Sequence, residues 1–422
     1  MTHRLHIGTL VAGETADGEA AASEPGAPDT DTSTLEPLAA ELDARRFNRH
    51  TFWCGQSGSG KTYALGVILE RLLLDTKLPL LILDPNADFV RLGERKEPRP
   101  GSRQRTGSTI GDGAGSTDNT DNTDSTDSTD STDENSADTP AASADPFDDV
   151  RVLRATGAGS GADELRVRFL DLPLASRAAV LGLDPIVDRD EYNVLVHLEH
   201  RLGALGRAEL IDSLRSNGAQ AQHDLASRIE NLGVLDWNLW AWGGRSAEDV
   251  IDDRPRATVL DLGGFRFPAE PQVAALSVLD HLWERREDRN PILIVIDEAH
   301  NVCNPHPVTP VERALTERIT QIAAEGRKFG LWLLLSTQRP SKIPVNVLSQ
   351  CDNLVLMKLA APRDLAELAD IFGTVPPELF AQAMHFGQGR ALIAGGFIGS
   401  PSLVQVAERL THEGGSDVPV PL

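Results

Sequence analysis

Eight residues constrain this chain more than any others: Gly55-Gln56-Ser57-Gly58-Ser59-Gly60-Lys61-Thr62 fills the pattern G-x-x-x-x-G-K-[ST] in full. The flanks fit as well. Thr51 to Cys54 is a short apolar strand candidate, and Leu65, Ile68, Leu69, Leu72 and Leu73 recur at helical spacing. A glycine-rich turn between a strand and a helix lets successive backbone N–H groups curl around phosphate oxygens at the positive end of the helix. Gly55, Gln56, Ser57, Gly58, Ser59 and Gly60 would form that cradle, Lys61 would neutralise the phosphates, and the Thr62 hydroxyl would ligate Mg2+.

A second motif supplies the other half of such a site. Ile292 to Ile296 is an unbroken apolar run that ends in Asp297-Glu298. A buried strand that delivers Asp297 at its C-terminal end can hold a water on Mg2+, and Glu298 can orient and deprotonate the water that attacks a γ-phosphate. The pair of motifs describes a nucleotide hydrolase. Guanine-reading enzymes place an Asp two residues after a Lys, and none of the six lysines here has one, so ATP is the expected nucleotide.

Charge separates the folded part from the rest. Residues 101 to 149 hold eleven Asp and one Glu against Arg103 and Arg105, and residues 11 to 37 hold seven acids and no base. These two segments carry most of the net charge of −23 and have too little apolar surface to fold, so the acidity does not exclude nucleic acid as a partner. The repeat from Asn119 to Asp133 is of low complexity and reads as a disordered insertion, which loop-closure entropy tolerates.

Along the remainder, apolar segments alternate between strand and helix character, which predicts an α/β fold with a mostly parallel sheet covered on both faces. The expected division is a short N-terminal strand and acidic linker (1–48), a first core segment (49–95), the acidic insert (96–149), a mainly helical insert (150–254), a second core segment (255–410) and a tail (411–422). Leu35 to Leu42 reads as a helix, Leu354 to Leu359 as a strand, and Leu195, Leu198, Leu202 and Leu205 as one face of a helix. No apolar run approaches the ~18 residues of a membrane helix. The N-terminus lacks a basic-then-apolar leader pattern and Cys54, Cys303 and Cys351 are isolated, so a cytoplasmic location is expected.

Several motifs together carry a family resemblance. Arg49-His50, GQSGSGKT, Asp84-Pro85-Asn86-Ala87-Asp88, IVIDEAH, Glu325 to Gly330, Ser336-Thr337-Gln338-Arg339-Pro340 and Gly387 to Ala391 are similar to the HerA family of the HerA/FtsK ATPases, over about 49–95 and 255–408. The resemblance implies a RecA-like domain, a hexameric ring, and ATP-driven movement of double-stranded DNA. It also implies roles for three further residues: Gln338 as a polar sensor of the γ-phosphate, Arg327 as an arginine reaching the neighbouring subunit's nucleotide, and Arg49 as a second nucleotide-facing arginine. Full-length members carry an N-terminal β-barrel that can dock a nuclease, whereas here 49 residues precede the loop strand, with His3 to Leu10 as a candidate remnant strand. The expected protein is an ATP- and Mg2+-dependent DNA translocase or helicase-like motor, with a nuclease or other effector as a candidate partner. An ATP-gated switch acting on a partner, or a P-loop kinase, are the alternatives. Arg166, Arg168, Arg177 and Arg189 are candidate DNA contacts or plain surface charge, and Trp237, Trp240 and Trp242 read as packing anchors before base-stacking platforms.

Overall fold

The computed structural model describes residues 3–11, 38–97, 145–155, 163–198, 207–216 and 218–415, apart from the side chains at 207 and 208. The acidic linker, the low-complexity repeat, Leu202, Leu205 and the last residues of the tail lie outside these.

The strands are β1 (Arg4–Leu10), β2 (Ala39–Asp43), β3 (His50–Cys54), β4 (Leu80–Asp84), β5 (Val150–Arg154), β6 (Asp163–Glu164), β7 (Ala257–Asp261), β8 (Ile292–Ile296), β9 (Leu331–Thr337), β10 (Cys351–Leu356), β11 (Arg390–Ala394) and β12 (Ser402–Val406). They form one sheet in the order β2-β1-β12-β11-β10-β3-β9-β8-β4-β7-β5-β6. From β10 to β6 all neighbours run parallel. From β10 to β2 all run antiparallel, giving a flank at one end of the sheet.

The helices are α1 (Lys61–Asp75), α2 (Leu174–Leu181), α3 (Arg189–Leu198), α4 (Arg207–Ser216), α5 (Gln220–Leu232), α6 (Ala247–Asp252), α7 (Ala269–Glu284), α8 (Pro310–Glu325), α9 (Val345–Leu348), α10 (Pro362–Ile371) and α11 (Pro377–Gln382). Alternation along each strand feeds two cores. Ile292, Ile294 and Ile296 of β8 pack on the side of α7 and α8, whereas Leu293 and Val295 pack on the side of α1. Both faces are therefore covered, and the central strands read as continuous apolar runs for that reason. Local sequence sets the helix ends: Thr309 accepts from the Glu312 N–H at 3.1 Å while Glu312 accepts from the Thr309 N–H at 3.2 Å, just before Pro310 opens α8.

Residues 409–411 strap α1. Glu70 of α1 accepts from the Leu410 N–H (2.7 Å), the Thr411 N–H (2.8 Å) and the Thr411 hydroxyl (2.6 Å), and pairs with Arg409 Nε at 3.4 Å, both side chains being fully buried.

Three expectations need correction. Ala39 to Leu42 is strand, not helix: its Ala- and Glu-rich composition favours a helix, but pairing with β1 overrides that weak preference. The region 150–254 opens with β5, which joins the central sheet beside β7 instead of belonging to a helical insert; only then do α2 to α5 follow. The strand placed at Leu354 to Leu359 runs from Cys351 to Leu356. Trp237 and Trp240 are buried and stack at 5.7 Å between ring centres, while Trp242 is exposed.

Candidate active site

The phosphate-loop motif spans the turn from the C-terminal end of β3 into α1. Gly58 and Gly60 adopt φ of +76° and +86°, left-handed values that cost other residues dearly, and a Cβ on Gly60 would stand 3.2 Å from the Gly389 nitrogen. Ser57 and Gly58 form the exposed crest, Gln56, Gly60 and Thr62 are half-buried, and Gly55, Ser59 and Lys61 are buried. The loop is held from outside. The Gln56 N–H donates to the Lys358 carbonyl (2.8 Å), Gln56 Oε1 accepts from the Ala360 N–H (2.9 Å), and the Gly389 N–H donates to the Ser59 carbonyl (3.0 Å). The Gly387 to Ala391 motif thus backs the phosphate loop.

Strand order brings β8 and β9 alongside, so their C-terminal ends deliver polar groups beneath the loop. Lys61 Nζ donates to Asp297 Oδ1 (2.8 Å) and Ser336 Oγ (2.9 Å) and stands 3.2 Å from Glu298 Oε1. Ser336 Oγ also donates to Asp297 Oδ1 at 2.6 Å, and Gln338 Nε2 donates to Glu298 Oε1 at 2.8 Å. Burial opposes the charge on Lys61, yet Asp297 and Glu298 overcome it and raise the pKa of the ammonium. Glu298 is itself left-handed, with φ of +44°, an uncommon backbone state for a non-glycine residue and one that clusters at functional sites.

A third strand end completes the floor. Asp84 closes β4, next to β8, and accepts from the N–H groups of Asp88 (3.0 Å) and Phe89 (2.8 Å). One carboxylate oxygen from each of Asp84, Asp88 and Asp297 lies within 4.8 Å of the others. Burial pushes Asp84 up to about 7 and Asp88 up to about 6. Asp297 Oδ2 is buried with no hydrogen-bond partner, so the donor set suits a hard divalent cation. Sequence reasoning assigned no site role to Ser336, Asp84 or Asp88. A polar residue at the end of an apolar strand was the available signal for Ser336 and Asp84, whereas Asp88 lies in the turn beyond β4.

Arg327 and Arg49 lie elsewhere. Arg327 sits in the turn Gly326–Phe329 before β9, and Arg49 precedes β3, so both occupy the N-terminal edge of the parallel strands. The seven residues of β9 put that edge about 20 Å from the loop at ~3.3 Å per residue. Neither arginine meets the phosphate loop of its own chain. Of the four candidate DNA arginines, Arg166 pairs with Glu164, Arg168 with Asp171 and Asp249, and Arg177 is buried; Arg189 is exposed.

The family model described as the central domain of helicase HerA matches residues 6–131. A probable helicase of Methanocaldococcus jannaschii is 34% identical over 172 residues, covering 41% of this chain and 28% of the relative. The DNA double-strand break repair helicase HerA of Sulfurisphaera tokodaii is 31% identical over 183 residues, covering 41% of this chain and 36% of the relative. The chain is thus similar to helicase HerA over part of its length, and matches about a third of the length of those relatives. Its fold is shared with VirB4 of Thermoanaerobacter pseudethanolicus, at a TM-score of 0.53 and 12% identity over 85% of this chain and 89% of that one. The bacterial conjugative coupling protein TrwB gives 0.52 and 12% over 89% and 88%. The chain accordingly has a RecA-like P-loop α/β fold. Among the described residues, no helix is long and apolar enough to cross a membrane.

Proposed function

We propose that this chain binds and hydrolyses ATP and uses the energy to drive a HerA-type motor on DNA. The observation that carries the reading is the continuous network Lys61–Asp297–Ser336 and Lys61–Glu298–Gln338 beneath an intact phosphate loop. The DNA assignment comes from the relatives, which are named as DNA double-strand break repair helicases.

The cradle N–H groups and Lys61 bind the phosphates, Lys61 exchanging its carboxylate contacts for phosphate oxygens. Thr62 and Asp297 are the residues that would hold Mg2+, which neutralises charge on the phosphates when bound. Glu298, one oxygen fixed by Gln338, orients the attacking water and takes its proton. Gln338 joins that base to the γ-phosphate position and so registers whether the phosphate is present. Arg327, and with it Arg49, faces away from the chain's own loop, so both would act on a neighbour's nucleotide. A subunit whose loop and arginines occupy opposite edges joins head to tail, and such contacts give a ring where the rotation between subunits closes. A homo-hexamer is the assembly proposed.

The test uses Lys61→Ala and Glu298→Gln in the full chain. Lys61→Ala should lose tight ATP binding, whereas Glu298→Gln should bind ATP and fail to hydrolyse it, with the wild-type rate stimulated by double-stranded DNA. Equal loss of binding in both variants would sink the roles, and a rate indifferent to DNA would sink the motor.

A further inference from the structure

We propose that Asp352 is a positioning residue for hydrolysis, holding the Arg327 guanidinium in the orientation in which it meets the neighbouring subunit's nucleotide. This rests on the trans role for Arg327 given above.

Arg327 Nη1 donates to Asp352 Oδ2 across the N-terminal edge of the sheet. A guanidinium has five N–H donors in a planar fork, so one held by a carboxylate leaves others for phosphate. Both partners are partly open to solvent, 30% for the Arg327 side chain and 48% for Asp352, and such a pair adds little to the stability of a fold. The backbone around it is nevertheless built with unusual constraint.

Asp352 stands in a β-bulge. Cys351 is paired with His50 and Asn353 with Thr51, so Asp352 has no partner on β3 and its side chain is re-aimed out of the ladder. The bulge is locked from two sides. Gly395, at φ +116°, approaches so closely that a Cβ there would stand 2.4 Å from the Asp352 carbonyl oxygen. The fully buried Asn353 donates through Nδ2 to the Arg46 carbonyl (3.2 Å) and to Thr51 Oγ1 (3.3 Å), tying the bulge to the segment that carries Arg49.

The arginine's backbone is fixed in turn. A Cβ on Gly326 would meet the Leu331 carbonyl oxygen at 2.8 Å, and Gly330 closes the turn at φ +83°. Two rigid backbones therefore aim one exposed carboxylate at one half-buried guanidinium. Stability does not require that arrangement; delivery of a flexible side chain to a fixed point does, because ordering it beforehand removes an entropic cost from the reaction step.

The experiment compares Asp352→Ala and Asp352→Asn with Arg327→Ala, each in the full chain, and co-expresses the variants in pairs so that mixed rings form. Asp352→Ala should lower kcat roughly tenfold, less than loss of Arg327 itself, with KM for ATP within about twofold and little change in melting temperature. Asp352→Asn, which keeps the acceptor oxygen, should fall between Asp352→Ala and wild type. Asp352→Ala and Arg327→Ala damage the same side of the interface and Glu298→Gln the other. Asp352→Ala with Glu298→Gln should therefore regain activity, and Asp352→Ala with Arg327→Ala should not. Unchanged kcat in both Asp352 variants, beside an inactive Arg327→Ala, would overturn the inference alone. So would rescue by Arg327→Ala, or no rescue by Glu298→Gln. Full activity of Arg327→Ala would sink the trans-arginine reading and Asp352's role with it.

Discussion

The strap over α1 makes a stability prediction whose sign is unusual. Glu70 and Arg409 are both fully buried, and the ion pair between them is accompanied by three hydrogen bonds from residues 410 and 411 to the Glu70 carboxylate. Glu70→Gln keeps one acceptor oxygen, turns an amide NH2 towards one of those N–H donors, and takes the carboxylate partner from the buried guanidinium. Breaking a buried pair from one side typically costs ~3–5 kcal/mol. At ~2.1 cal/mol/K per residue over roughly 300 ordered residues, that corresponds to a fall of about 5–8 °C in Tm. Adding Arg409→Met removes the stranded charge while retaining an apolar body against Phe89, over which the guanidinium now lies at 5.7 Å. The double variant should therefore be more stable than Glu70→Gln, and should fall short of wild type by about 1–3 kcal/mol for the N–H donor left facing the amide. Thermal melts of the four proteins at one pH and salt concentration measure the cycle. A double variant less stable than Glu70→Gln would refute the argument that charge desolvation dominates at this site.

Two further outcomes follow from the site. Gly60→Ala places a Cβ 3.2 Å from the Gly389 nitrogen at φ +86°, a left-handed state costing ~1–2 kcal/mol, so ATP affinity should fall about tenfold or more in a fluorescent-nucleotide titration with Tm little changed; unchanged affinity would contradict the loop geometry. Asp84 and Asp88 are raised from 3.8 to about 7 and about 6, so the native state binds more protons than the unfolded one between those values. Their contribution to stability is then fully present below about pH 4 and is lost as pH rises through 6 to 7. In metal-free buffer, Asp88→Asn should gain in Tm relative to wild type between pH 5 and pH 8, and a gap that stays constant would refute the assignment.

Local signals made the phosphate loop and the Asp297-Glu298 strand end legible, because each is a contiguous motif whose neighbours are set by the chain itself. Ser336, Asp84 and Asp88 join that site only because β9 and β4 lie beside β8, and strand order is not written in any one segment. The Ala39 to Leu42 and Val150 to Arg154 segments were harder for the same reason. Each becomes a strand through a partner distant in sequence, β1 in one case and β7 in the other. Asp352 was invisible as anything but a surface acid, since its role depends on a bulge that exists only in the paired state.

The Gly389 contact has a mechanical side. The Gly389 N–H holds the Ser59 carbonyl at 3.0 Å, the Val406 N–H holds the Gly389 carbonyl at 3.0 Å, and the Ala407 N–H holds the Ile7 carbonyl at 2.8 Å. Three backbone bonds thus join the phosphate loop in series with β1, without a single side-chain rotor in the path. Side chains can change rotamer and absorb a displacement; this linkage has no such rotor, and its only soft torsions are the φ and ψ of Gly389 and of the Val406–Ala407 link. The antiparallel flank is in effect a handle on the loop, and a body gripping β1 or β2 from outside would pull on the phosphate cradle directly.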